Sequence, residues 1–287
     1  GSLNVLGEGF KQELLSSQEA VVGIGANLED VIATTNELSS EFGLSLDEAA
    51  NISAQVIDTA RAVGLSNEEA AKLSGILQTT SGLSGEQAER LTEGAFQLAA
   101  ANRVNPSAVL KDMAASSETF AMFSEDGGDN LAKAAVQARA LGLSLDTTAK
   151  IAEGLLDFEN SITKELEASV LIGRQLNFQK ARELALNNDI EGAMADVVSQ
   201  LGSEEEFTRL NALQRKSLAD SIGVGVDELA KFVNNQEKAK TLQDAIAGQP
   251  FEDLVGAEAI DSISRIVNSF QQIGASLAVS IGPQVAG

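Results

Sequence analysis

The sequence predicts an all-α protein: an array of short antiparallel helices joined by Gly-Leu-Ser turns, with one or two longer amphipathic helices. Three observations support this prediction. The 287 residues include only three prolines, apolar positions recur every three or four residues, and no segment alternates like a β-strand for long. Hydrophobic residues make up 44% of the chain, which is enough for a buried core. Because Phe is the only aromatic residue type, we expect a core mostly of Leu, Ile, Val and Ala.

The helix starts are marked by a recurring connector, Gly-Leu-Ser followed by acidic residues. Gly permits the left-handed conformation that closes a helix, and Leu packs across the turn. Ser then caps the next helix, and a Glu or Gln three residues later completes a capping box. In the fourth copy Thr147 replaces that Glu or Gln, so only the Ser144 cap and the favourable Asp146 charge remain. The copies are Gly43–Glu48, Gly64–Glu69, Gly82–Gln87 and Gly142–Thr147, with a degenerate fifth at Gly223–Glu228.

Further caps and loops divide the chain into three predicted regions. The additional caps are Asn27 with Asp30, Asn105 with Pro106, and Ser203 with Glu206. Polar, Gly and Pro residues cluster at 124–130 and at 248–250. We therefore predict a helical-hairpin region over 1–125, a central helical region over 126–248, and, over 249–287, a C-terminal apolar helix that is either complete or truncated.

The central region is predicted to contain the longest helix. Its apolar residues are spaced by three to five positions, which predicts one amphipathic helix with a continuous inward stripe. These residues are Ile151, Leu155, Phe158, Ile162, Leu166 and Leu171. A second pattern, Arg182–Ala193, is typical of the turn of a helix pair of the tetratricopeptide kind, and plain helical-hairpin packing is the preferred interpretation.

Composition excludes many functions. The chain has no His, Cys, Trp or Tyr, so thiolate or imidazole metal sites, disulfides, haem and iron–sulfur ligation, and Ser-His-Asp or Cys-His catalysis are excluded. Its formal charge is −22 and its basic residues do not cluster, which argues against direct nucleic-acid binding. No apolar run is long enough to predict a membrane span. We therefore predict a protein that is not an enzyme, with no catalytic, cofactor-binding or metal-binding residue and no cofactor.

Several acidic and Gly-containing segments have the residue types of binding sites. Asp126, Asp129 and Asn130 invite a calcium site, but their spacing fails the EF-hand pattern, so we predict a loop in which Asp129 or Asn130 caps the next helix. Glu204–Glu206 is interpreted as the first turn of a helix. The Gly-containing runs at 23–28 and 223–225 lack the third glycine of a dinucleotide fingerprint.

Two carboxylate pairs have residue types that could serve glycoside hydrolysis, Asp157 with Glu165 and Glu159 with Glu167. That chemistry requires two carboxylates across a cleft. Both members of each pair lie on one predicted helix, so the hydrolase interpretation is disfavoured.

The sequence resembles tail tape measure proteins of tailed bacteriophages over most of residues 40–235. The resemblance rests on the Gly-Leu-Ser-x-Asp/Glu helix starts and on the segments Gly75–Ser84 and Leu156–Ile162. It implies a virion structural protein of the tail lumen that helps to set tail length and is released during infection. The implied partners are tail tube and tail tip proteins, tail assembly chaperones and further copies of itself. The implied locations are the virion tail interior and, during assembly, the host cytoplasm.

One departure from the family matters. Its members are usually far longer, with long helical or coiled-coil rulers, whereas Gly residues interrupt this chain about every 20 positions and no heptad pattern persists. The resemblance therefore implies a fragment, a globular helical domain attached to a ruler, and membrane contact only beyond the apolar end Ile260–Gly287. The alternative hypothesis is an intracellular helical adaptor or chaperone-like protein that binds a partner helix in a groove.

Overall fold

The computed structural model describes residues 27–246 and 249–255, and this part of the chain is all-α. It is 81% helical, and no strand occurs among the described residues. Fifteen α-helices and one short 3-10 helix (Asp126–Gly128) follow one another. The α-helices are α1 Leu28–Phe42, α2 Leu46–Val63, α3 Asn67–Thr79, α4 Gly85–Ala101, α5 Pro106–Ala115, α6 Ser117–Phe123, α7 Asp129–Ala140, α8 Leu145–Leu156, α9 Phe158–Ile172, α10 Gln179–Leu186, α11 Ile190–Leu201, α12 Glu204–Arg209, α13 Ala212–Ser221, α14 Val226–Ile246 and α15 Phe251–Val255.

The predicted Gly-Leu-Ser connectors are confirmed. Gly43, Gly64, Gly82 and Gly142 all have positive φ, and each following Leu donates its N–H to a carbonyl of the preceding helix. Complete capping boxes start α2, α3 and α4, where Ser accepts from the N–H three residues on and Glu or Gln returns to the Ser N–H. The fourth copy keeps only the Ser144 cap, which accepts from the Thr147 N–H. The caps predicted at Asn27, Asn105 and Ser203 are also present.

Helix α7 is the centre of the packing. It contacts α4 and α5 on the N-terminal side and α8, α11, α14 and α15 on the C-terminal side. Its buried side chains are mostly Ala, which allow several helices to approach closely at once. Nearly all buried apolar residues form one continuous cluster that extends from Leu38 to Val255. The division into three regions stays a prediction.

The prediction of one long central helix is wrong, because the helix is interrupted at Asp157. This residue leaves helical geometry (φ −78°, ψ 76°), ends α8 and caps α9 by accepting from the Asn160 N–H. Ile151 and Leu155 of α8 are buried as expected. Phe158, Ile162, Leu166 and Leu171 of α9 are instead among the exposed large hydrophobic residues. The longest described helix is α14, with 21 residues.

The predicted cap of α7 is also wrong. No side chain caps this helix, which begins after Gly128. The Asn130 side chain instead binds backwards, accepting from the Glu125 N–H at 3.0 Å and donating to the Phe123 carbonyl at 2.7 Å. The amide thus closes the preceding loop, where Asp126 and two glycines have positive φ.

The helix pair predicted at Arg182–Ala193 is confirmed as a plain hairpin. Helices α10 and α11 pack together through the buried small residues Ala181, Ala185 and Ala193. Asn188 makes the turn with a positive φ, and Asp189 caps α11.

The last described helix, α15, packs on α4 and α7. Gly94 of α4 leaves room for the Phe251 ring, which would lie only 2.6 Å from an added Cβ. Lys133 of α7 donates to the Gln249 carbonyl beside it. The apolar end Ile260–Gly287 and most of the Gly-containing run at 23–28 lie outside the described residues.

Candidate interaction surface

Helix α9 is held to the protein by its polar side chains. Ser161, Glu165 and Ala168 follow one another at helical spacing and are the buried residues of this helix. The Arg182 guanidinium of α10 lies 2.8 Å from the Glu165 carboxylate and donates to the Ser161 hydroxyl at 3.0 Å. Because this mainly polar face lies against the protein, most of the large apolar residues of α9 face solvent, whereas Ile172 at its C-terminal end packs against the core.

The segment before α10 adds two backbone contacts to the same face of α9. The Phe178 N–H donates to the Glu165 carboxylate at 3.1 Å, and the Leu176 N–H donates to the Ser169 hydroxyl at 2.9 Å. Phe178 itself is fully buried. A charged pair whose remaining polar positions are satisfied in this way is stable in a buried setting, whereas one without such partners is costly. The orientation of α9 is therefore set by specific hydrogen bonds.

The outward face of α9 carries a row of apolar residues, which we call the docking face: Phe158, Ile162, Leu166 and Val170. Their exposed fractions are 46%, 44%, 61% and 81%. Residues four apart lie one above the other on a helix, so the four side chains form a single ridge. Scattered exposed apolar residues are ordinary on protein surfaces, but a contiguous apolar row is typical of a surface that contacts a partner.

Helix α13 packs beside α9, and its first turn lies against the C-terminal end of α9. The Gln214 side chain completes the capping box of α13 and donates to the Leu171 carbonyl at 2.9 Å. The preceding residue, Leu213, is 62% exposed. Among the described helices, α9 packs chiefly on α8 and α13.

A cavity of about 670 Å³ lies between α7, α10, α11 and α14. Its lining is mixed, with apolar residues such as Leu184 and Val198 beside charged ones. The charged residues are Lys180, Lys240, Asp189, Asp196, Glu237 and Asp244. Its volume falls within the range of known ligand pockets.

A cluster of three acidic residues lies between α2 and α4, where Glu93 is buried and Asp58 and Glu89 are half-buried. Glu89 accepts from the Gln55 amide and from the Thr59 hydroxyl. Burial raises the pKa of Glu89, and also that of Asp58. Glu93, one turn from Glu89, is only 5% exposed; burial, with repulsion from Glu89 and Asp58, raises its pKa to about 7. Burial also raises the pKa of Glu191 in α11 to about 7, although the positive charge of Lys133 acts to lower it.

The carboxylates considered for hydrolysis do not face one another across a cleft. Asp157 caps α9, and Glu165 pairs with Arg182. Glu159 and Glu167 are exposed on α9. Glu204–Glu206 form the first turn of α12, as predicted, with Glu206 in the capping box of Ser203. The Gly223–Gly225 run is a helix-to-helix turn in which the Gly225 N–H donates to the Glu228 carboxylate at 2.9 Å.

Sequence reasoning missed the docking face because it assigned Phe158, Ile162 and Leu166 to the core. A signal was present in the sequence. Ser161, Glu165 and Ala168 repeat at the same helical spacing on an adjacent face, and Arg182 offers a charge partner. Apolar periodicity alone cannot decide which of two faces is buried when the polar face has its own buried partner.

The described residues show no group of three or more acidic or other ligand side chains that could hold a metal ion. Within the same part of the chain, the helices are too short or too polar to cross a membrane.

No family model, no curated protein and no solved structure matches this chain.

Proposed function

We propose that the chain is a non-enzymatic structural and interaction module of a phage tail tape measure protein, located in the tail interior. The docking face is the observation that carries the interaction role. Its four apolar side chains are held outward by the buried Glu165–Arg182 pair. A contiguous exposed apolar ridge of this kind is often a contact site for a partner.

The assignment to a phage tail rests on the resemblance in sequence. The alternation of short helices with Gly-Leu-Ser turns makes a packed body rather than an extended rod, since a continuous ruler would rise about 1.5 Å per residue without interruption. This supports a globular module joined to a ruler. The partners would be tail tube and tail tip proteins, assembly chaperones or further copies of the chain.

The test is the size and location of the natural product, measured with an antibody raised against this chain. We expect a band several times larger than 29.9 kDa in purified particles. A product near that mass, found only in the cytoplasm and never in particles, would contradict the tail assignment.

The second candidate function is a helical adaptor, and the cavity between α7, α10, α11 and α14 favours it. A volume of about 670 Å³ with mixed lining suits part of a partner helix or a peptide. The substitution Ala195→Phe in the cavity wall should abolish partner binding by an adaptor but leave assembly into particles unchanged. Ala101→Phe, at the exposed end of α4, is the matched control.

A further inference from the structure

We infer that the docking face receives an amphipathic helix of another protein, whose apolar ridge is bordered by Lys or Arg residues. This inference rests on the proposed interaction role and adds the chemistry of the partner. Three properties of α9 support it: the shape of the ridge, its extent, and the charges beside it.

The shape of the docking face suits a helix. Side chains four residues apart form a ridge that fits the groove between the corresponding ridges of a second helix. The row from Phe158 to Val170 spans about three turns, or roughly 18 Å at 1.5 Å per residue. A partner helix of four or five turns would cover it.

The extent of the ridge shows that apolar contact is only part of the interface. At about 200 Å² for a fully exposed large apolar residue, the four exposed fractions correspond to roughly 450 Å² of surface. A standard interface buries about 800 Å² on each partner. The partner must therefore also contact the polar residues along the border of the ridge.

The border of the ridge is acidic. Successive helix residues are rotated by about 100°, which places Glu159, Thr163 and Glu167 in a row beside the apolar ridge. All three are exposed. Lys164, the one basic residue of α9, lies about 200° from Ile162 and therefore on the opposite side. Exposed charges interact over about one Debye length, which is about 8 Å. A partner that covers the ridge places its own border within this distance of Glu159 and Glu167, so Lys or Arg is favoured at that border of the partner.

The acidic border also argues against a second copy of the chain as the partner at the docking face. It would bring an identical acidic border to the contact, and each copy has a formal charge of −22. Like charges placed across an interface select against a partner. A basic amphipathic helix has no such penalty, and its charges also raise the rate of association.

The experiment uses the full chain and two synthetic helical peptides of about 18 residues with identical Leu ridges. One ridge is bordered by Lys and the other by Glu, and binding is followed by fluorescence anisotropy of a label on the peptide. We expect the Lys-bordered peptide to bind at least about tenfold more tightly at low salt, and this preference to shrink as salt rises.

Three variants test whether the peptides bind at the docking face. Glu159→Lys with Glu167→Lys should reverse the preference between the peptides. Leu166→Ser with Val170→Ser, at the two most exposed positions of the ridge, should remove binding of both peptides while the circular dichroism spectrum stays unchanged. Lys164→Glu on the opposite side is the matched control and should leave both affinities unchanged.

Three results would overturn the inference. The first is equal affinity for the two peptides. The second is a dimer of the full chain, observed by sedimentation, that the Leu166→Ser/Val170→Ser variant disperses, because a second copy would then occupy the face. The third is tighter peptide binding after Ile263→Ser with Phe270→Ser, because residues 260–281 of the same chain would then be the occupant.

A negative result in the peptide test can be distinguished from a negative result in the particle test. Loss of the charge preference in a chain that is present in particles would leave the tail assignment in place and remove only the basic partner. A clear charge preference in a chain that is absent from particles would keep the docking face and remove the tail assignment.

Discussion

The buried pair of Glu165 and Arg182 offers the sharpest test of how α9 is oriented. Only 11% of the Glu165 side chain and 9% of the Arg182 side chain are exposed. The substitution Glu165→Ala removes the acceptor of the Arg182 guanidinium and of the Phe178 N–H. It leaves a buried cation with only the Ser161 hydroxyl as a partner.

The expected cost is large because the remaining charge has lost its counterion. Breaking a buried pair by removing one partner destabilises a protein by about 3–5 kcal/mol. For a folded body of this size, 1 kcal/mol lowers the melting temperature by about 2–4 °C. We therefore expect Glu165→Ala to lower the melting temperature by about 10 °C.

The assay is urea and thermal unfolding followed by circular dichroism at the helix band, since the chain has neither Trp nor Tyr for intrinsic fluorescence. Glu167→Ala is the matched control: it removes an exposed carboxylate two residues away and should change the unfolding free energy by less than about 0.5 kcal/mol. The double variant Glu165→Leu with Arg182→Met should cost much less than the two single losses together, because no unpaired charge remains. A Glu165→Ala variant that loses less than about 1 kcal/mol would refute this account of α9.

Three further predictions concern caps, pH and helix packing. Ser66→Ala should lower the unfolding free energy by about 1 kcal/mol, because an N–H at the start of α3 loses its acceptor. Ser66→Thr, which keeps a hydroxyl acceptor, should retain most of this stabilisation. The raised pKa of Glu93, about 7 against an ordinary 4.5, means that the folded state holds a proton that the unfolded state releases. The contribution of Glu93 to the free energy of unfolding is complete below pH 4.5 and falls as the pH rises towards 7. In urea titrations over that range, the stability of Glu93→Gln should therefore increase relative to that of the parent protein. Gly94→Ala should displace Phe251, because the added Cβ would lie 2.6 Å from its ring, and destabilise by about 1–3 kcal/mol; Gly154→Ala, which meets nothing within 4 Å, should be neutral or stabilising in thermal melts.

Each of these predictions has a contrary outcome. An unchanged melting curve for Ser66→Ala would mean that the cap contributes nothing measurable. A constant difference between Glu93→Gln and the parent protein from pH 4.5 to 8 would show that Glu93 titrates normally. Equal effects of the two Gly→Ala substitutions would show that α15 does not pack closely on α4.

The helix starts could be predicted from sequence because capping is local. Ser45, Ser66 and Ser84 each bind groups within three residues, so the pattern of residues contains the whole interaction. The same holds for the Gly residues whose positive φ ends a helix. The prediction failed at α7 because the Asn130 side chain binds the preceding loop, five and seven residues away, instead of the helix it was expected to cap.

The sequence by itself determined the all-α class, the helix starts that carry a local Ser or Asn cap, and the exclusion of His- and Cys-dependent chemistry, but not the break at Asp157. Only the tertiary structure decided which face of each helix is buried. For α9, Arg182 comes from a different helix, 17 positions after Glu165, and its contact makes a polar face the buried one. Apolar periodicity reports that a helix has two faces, but the side that is buried depends on partners brought together by folding.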